Sequence, residues 1–125
     1  MAKFAVDAVI DGTLDVYAAA TRLFICSAQP ANYTEASSTY ALADVTIDSG
    51  DFTKANGDTS GRKVTVGAQS SVLIDASGTA THVVLGIAGS STLLGGTTCT
   101  SQALTANGSN TVNVPAYDIE IADPT

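Results

Sequence analysis

The residues that could do chemistry are few and far apart. His82 is the single histidine, and a nucleophile–histidine–acid set would have to draw on Cys26, Cys99 or one of many serines. His82 stands in Thr81-His-Val-Val-Leu-Gly-Ile87, a strand-like apolar run, and no Gly-x-Ser-x-Gly elbow presents a serine nucleophile. A lone histidine in such a run reads as a hydrogen-bonded structural residue, so no catalytic residue is assigned. Asp44, Asp48, Asp51 and Asp58 come close together and suggest calcium. They lack the alternating ligand positions and closing bidentate Glu of an EF-hand, and they read as solvated turn acids with no metal. Asn56-Gly-Asp-Thr-Ser-Gly-Arg-Lys63 resembles a phosphate loop only superficially. Its Gly57 and Gly61 enclose three residues rather than four, and no Lys-Ser/Thr pair follows. It also leads into a strand, where a phosphate loop needs a helix N-terminus behind it. A turn is the reading, and no cofactor is expected. A sugar-binding face usually carries exposed aromatic platforms; with no Trp, the candidates are Tyr33, Tyr40 and Tyr117, and core or subunit packing suits each better.

The elements that would position these residues follow one phrase, a short alternating apolar run and then a turn of Gly, Asn, Asp or Ser. Val45-Thr-Ile47, Val64-Thr-Val66, Val112-Asn-Val114 and Ile119-Glu-Ile121 each send two branched side chains to one face of a strand. The spacing predicts strands over 21–27, 44–49, 51–54, 62–67, 71–75, 80–87, 92–99 and 111–121, the last broken near Pro115. A helical turn is expected over 32–41, capped by Asn32 or Thr34. Residues 5–20 differ: Val6, Val9, Ile10, Leu14 and Tyr17 recur at helical spacing, and Asp7, Asp11 and Asp15 form an i, i+4 row on another face. One amphipathic helix is predicted at about 5–20, weakened by Gly12 and docked on the sheet or on a neighbouring subunit through Val6, Ile10 and Leu14. The fold class is mainly β (α+β): an antiparallel β-sandwich or small barrel with one N-terminal amphipathic helix. The chain reads as a single domain, 1–125, with its β-rich part at 21–122.

Bulk properties narrow the partners. A formal net charge of −7 and five scattered basic residues (Lys3, Arg22, Lys54, Arg62, Lys63) argue against nucleic acid, which needs clustered Lys and Arg, and against an anionic membrane surface. No apolar run approaches the ~20 residues of a membrane-spanning helix. The N-terminal stretch lacks a signal-peptide core, since Asp7, Asp11 and Asp15 interrupt it. The sequons Asn32-Tyr-Thr34 and Asn107-Gly-Ser109 are then accidents of composition. Cys26 and Cys99 match no metal spacing and are expected to be free thiols, a disulfide being open only if their strands are neighbours. Charged residues make up only 14% of the chain, and the outward faces of the strands are mostly Thr and Ser. Such a surface packs against other subunits at little side-chain entropy cost, which leans toward an assembled protein.

Several segments resemble small virion structural proteins of tailed bacteriophages. They are Cys26-Ser-Ala-Gln-Pro30, Tyr33-Thr-Glu-Ala36, Thr39-Tyr-Ala-Leu-Ala43, Gly57-Asp-Thr-Ser-Gly-Arg-Lys-Val-Thr-Val66, Cys99-Thr-Ser-Gln-Ala-Leu-Thr105 and Val112-Asn-Val-Pro-Ala-Tyr-Asp-Ile-Glu-Ile121. The similarity runs over nearly the whole chain, N-terminal segment included, and in size and β content it extends to capsid decoration (cement) proteins. The resemblance implies a non-enzymatic role, binding to the assembled head as a homotrimer or other homo-oligomer. The partner would be the major capsid protein of the same phage, and the location the capsid surface of a virion made in the bacterial cytoplasm. The alternatives are a tail or head–tail connector component, and a module on the particle that binds glycan or host receptor. No catalytic residue, metal or cofactor comes with it.

Overall fold

Antiparallel pairing accounts for all the sheet structure of this mainly β protein. The structure, a computed structural model, describes residues 3–124. Helix α1 (Asp7–Ala18) precedes β1 (Arg22–Cys26), a π-turn (Glu35–Thr39), β2 (Ala41–Thr46), β3 (Phe52–Asn56), β4 (Arg62–Val66), β5 (Gln69–Leu73), β6 (Gly78–Ile87), β7 (Thr92–Leu104), β8 (Thr111–Val114) and β9 (Tyr117–Ile121). They form a four-stranded sheet in the order β2-β1-β6-β7, a three-stranded sheet β3-β4-β9 and a two-stranded sheet β5-β8. The β2 edge is stitched to the β5–β8 ribbon by the Ala43–Ile74 bridge and by Asp75 N–H donating to the Leu42 carbonyl at 2.8 Å.

The three sheets enclose one apolar centre. Leu23 and Ile25 (β1), Ala43 (β2), Val66 (β4), Val72 (β5), Val83 and Leu85 (β6), Leu104 (β7) and Val114 (β8) are buried together there. The alternation that marks these strands in the sequence is the alternation that fills this space. β1 departs from it, because Leu23-Phe24-Ile25-Cys26 has no polar position. The reason is a second apolar layer: Phe24 and Cys26 point away from the centre and are covered with Val84 by Tyr33, Ala36 and Tyr40. The segment between β1 and β2 is therefore a lid on the back of the sheet, and β1 is buried on both faces as a continuous apolar run requires. Phe24 and Tyr33 meet edge to face at 5.6 Å. The lid's turn is closed at its start by Asn32, whose Oδ1 accepts the Glu35 N–H at 2.9 Å, while Glu35 Oε1 accepts the Ala31 N–H at 3.0 Å. Of the two expected caps, Asn32 serves and Thr34 makes no side-chain bond.

Several bounds differ from the sequence expectation. β2 starts at Ala41 and ends at Thr46, earlier than the expected 44–49, because its pairing with β1 runs from Arg22↔Thr46 to Cys26↔Ala41. β7 runs to Leu104, beyond the expected 92–99, carried by pairing with β6 across Thr, Ser and Gln. Pro115 does break the last run, into β8 and β9.

Candidate functional site

The catalytic candidates do not assemble into a catalytic group. Cys26 and His82 face each other across the β1–β6 pairing, and His82 in turn faces Thr98 on β7. Cys26 is nonetheless fully buried and its Sγ donates to the Ala36 carbonyl at 3.5 Å. Burial pushes its thiol up to about 11, the opposite of what a nucleophile needs. His82 Nδ1 lies 2.8 Å from Thr81 Oγ1 beside it in sequence. It looks onto an open groove of about 350 Å³ with Gln29, Pro30 and Thr98. Cys99 belongs to the other side of the sheet, packed at the margin of the central core, and both cysteines are free. Their placement on opposite faces rules a bond between them out on geometry.

The clustered acids are spent locally. Asp44 pairs with Arg22 at 2.7 Å, and Asp58 with Lys63 at 2.8 Å. Asp48 and Asp51 cap the short turn before β3 reciprocally: Asp48 Oδ1 accepts the Gly50 N–H at 2.8 Å and Asp51 Oδ2 accepts the Asp48 N–H at 2.9 Å. Among the described residues no group of three or more His, Cys, Asp and Glu converges as a metal site would. Segment 56–63 is the β3–β4 hairpin turn, closed by Gly57 N–H on the Gly61 carbonyl at 2.9 Å. Gly61 sits at φ +70°, and a Cβ there would meet the Ile121 carbonyl oxygen at 1.9 Å, so glycine is required. Tyr33 and Tyr40 pack in the lid cluster and Tyr117 in the central core, which leaves none of the three as a free platform.

Helix α1 is the distinctive element, and its residues divide among three faces. Ile10 and Leu14 are buried against Val64, with Tyr17, Phe52, Ile119 and Ile121 around them. This packing places the helix on the inner face of the β3-β4-β9 sheet, and Tyr17, Phe52 and Ile119 continue into the central core. The acidic flank is tied to the same sheet. Arg62 Nε donates to Asp11 Oδ1 at 2.8 Å while its other arm reaches Asn56 Oδ1 at 2.8 Å, and Lys54 pairs with Asp15. The hydrogen bond from Arg62 holds the Asp11 carboxyl below the usual carboxylate range. These contacts hold a helix that lacks a side-chain N-cap and a basic last turn.

The third face is exposed and apolar. Val6, expected on the docking face with Ile10 and Leu14, is the N-cap residue with extended backbone and is 56% exposed. Val9 is 63% exposed, Val16 55%, and Phe4 just before the helix 86%. The remaining outward residues, Ala8, Gly12, Thr13 and Ala19, are uncharged and exposed. The sequence signal for this face is Val9, Thr13 and Val16, spaced four and three apart within the helix.

A second ion-pair group lies on the outer face of the three-stranded sheet. Lys63 bridges Asp58 and Asp118, and Thr65 Oγ1 donates to Asp118 Oδ1 at 2.6 Å. Bonds from Thr65 and then Lys63 lower the Asp118 carboxyl, and the two carboxylates raise Lys63. Arg22, Lys54, Arg62 and Lys63 are thus all engaged with acids of the same chain. No helix among the described residues is long and apolar enough to cross a membrane. In comparisons with family models, curated proteins and solved structures, nothing matches this chain.

Proposed function

We propose that this chain is a non-enzymatic structural protein of a tailed-bacteriophage virion, a capsid decoration protein that binds the assembled head and stabilises it. The observation that carries the reading is the resemblance of its segments, from Cys26-Ser-Ala-Gln-Pro30 to Val112–Ile121, to small phage virion proteins over nearly the whole chain. The chemistry of the surface supports it. A cement protein needs no reactive group, and here the buried thiol is held protonated and the clustered acids are capped or paired. Four of the five basic residues are neutralised within the chain, which leaves the surface acidic and unsuited to the packaged DNA. The partner is the major capsid protein of the same phage, met at many equivalent sites as a homotrimer or other homo-oligomer. Modest contacts repeated over a shell sum to a large stabilisation.

Quantitative mass spectrometry of purified particles, with heads and tails separated, tests this. Hundreds of copies in the head fraction are expected. Copies confined to tails would move the protein to the tail or connector, and absence from particles would remove the virion role.

A further inference from the structure

We propose that the outer face of α1, centred on Val9 and Val16, is a self-association surface whose occupant is the same helix of a second copy of this chain. The inference deepens the proposed function by naming where copies meet, and it rests on that reading only for the expectation of an oligomer.

Three observations point to a like helix. First, Val9, Thr13 and Val16 follow the four-three spacing of a helix–helix seam, with Val6 exposed just before the helix, whereas Ile10, Leu14 and Tyr17, which hold the helix to its own sheet, lie on the adjoining face. A helix with two apolar faces needs two partners, and only one is supplied within the described residues. A seam of this period is complementary to another helix of the same period, and α1 is the sole α-helix among the described residues. Second, the charge is arranged for self-contact. On a chain of net charge −7, two copies repel wherever acids face acids. The three acids of the helix sit on the far flank, with Asp11 and Asp15 bound to Arg62 and Lys54, so the outer face is a neutral window on an acidic molecule. A basic partner would find little to recognise there. Third, the residues flanking the valines are small: Ala8, Gly12 and Ala19 are exposed, and a Cβ at Gly12 would touch nothing. Two helices can therefore approach until the valines interdigitate. β-Branched residues fill the three helical seam positions, Val9, Thr13 and Val16. Phe4, next to the first turn and largely exposed, extends the apolar area at one end.

The test is the solution mass of the purified chain, with no particle present, so that its failure leaves the copy-number experiment untouched. Light scattering on a sizing column is expected to give an oligomer of the wild type. Val9→Lys/Val16→Lys is expected to be a monomer with unchanged circular dichroism. The gentler Val9→Thr/Val16→Thr, which swaps a methyl for a hydroxyl at constant shape, is expected to weaken association by tenfold or more and serves if the lysine variant does not fold. A wild type that stays monomeric up to its solubility limit overturns the proposal. So does an oligomer that survives both double substitutions. Loss of binding to empty shells by the variants of a monomeric wild type would give the face to the shell instead.

Discussion

Tyr117 places a phenolic oxygen in the core where no group among the described residues meets it, although its ring fills space beside Val66 on β4. A buried hydroxyl without a partner loses its hydration and gains nothing, at a cost of about 1–3 kcal/mol. Tyr117→Phe keeps the packing and removes the orphan, so it is expected to leave the protein as stable or more stable by about 1 kcal/mol. A fall in the denaturant midpoint on that change would mean the hydroxyl has an unseen partner. At this scale the sequence showed residue types well and adjacency poorly. Neither the facing of Cys26 and His82 nor the lid over Cys26 could be read from spacing. Both depend on the order β2-β1-β6-β7, which brings residues far apart in the chain side by side. Turn chemistry is local, and it was legible: Gly57, Gly61 and Asn32 do what their types suggest.

Among the elements, α1 derives its stability from packing. Leu14 is fully buried against Val64 and its neighbours, so Leu14→Ala is expected to cost about 3 kcal/mol by the usual loss of transfer energy and the cavity left behind. Chemical denaturation measures it, and a cost below about 1 kcal/mol would mean that the site collapses around the vacancy or that the helix is docked elsewhere. The helix itself was legible from its period, and so were the strands with branched residues two apart. Strand ends were less so. Tyr40-Ala-Leu-Ala43 lacks β-branched side chains, and Thr98–Ala103 lacks apolar alternation apart from Cys99, so β2 begins earlier and β7 runs longer than pattern alone indicates. In both cases long-range pairing overrode weak local preference. Val6 does not join Ile10 and Leu14 on the sheet because the helix starts after it, and an N-cap residue does not share the facing of the turn that follows.

The molecule as a whole carries an acidic surface whose ion pairs set a pH window. Asp11 and Asp118 have depressed carboxyls in the folded state. The stability they contribute is present above the ordinary carboxylate value of about 4 and is lost as pH falls through their folded values. Cys26, raised by burial to about 11, and Tyr117 and Lys63, also raised, act in the opposite sense. Their contribution is complete below their unfolded values, the lowest being about 8.5 for the thiol, and is lost as pH rises through the folded ones. Denaturant midpoints are therefore expected to be flat between about pH 5 and 8 and to fall on both sides. Asp11→Asn should blunt the acid fall, and a midpoint unchanged down to pH 3 would show that these pairs add nothing. The placement of α1 also bears on synthesis. Ile10 and Leu14 are covered by Phe52, Val64, Ile119 and Ile121, so α1 waits for strands that are translated well after it. A nascent chain must carry α1 with its apolar face unclosed from the synthesis of that helix until β9 is free of the exit tunnel.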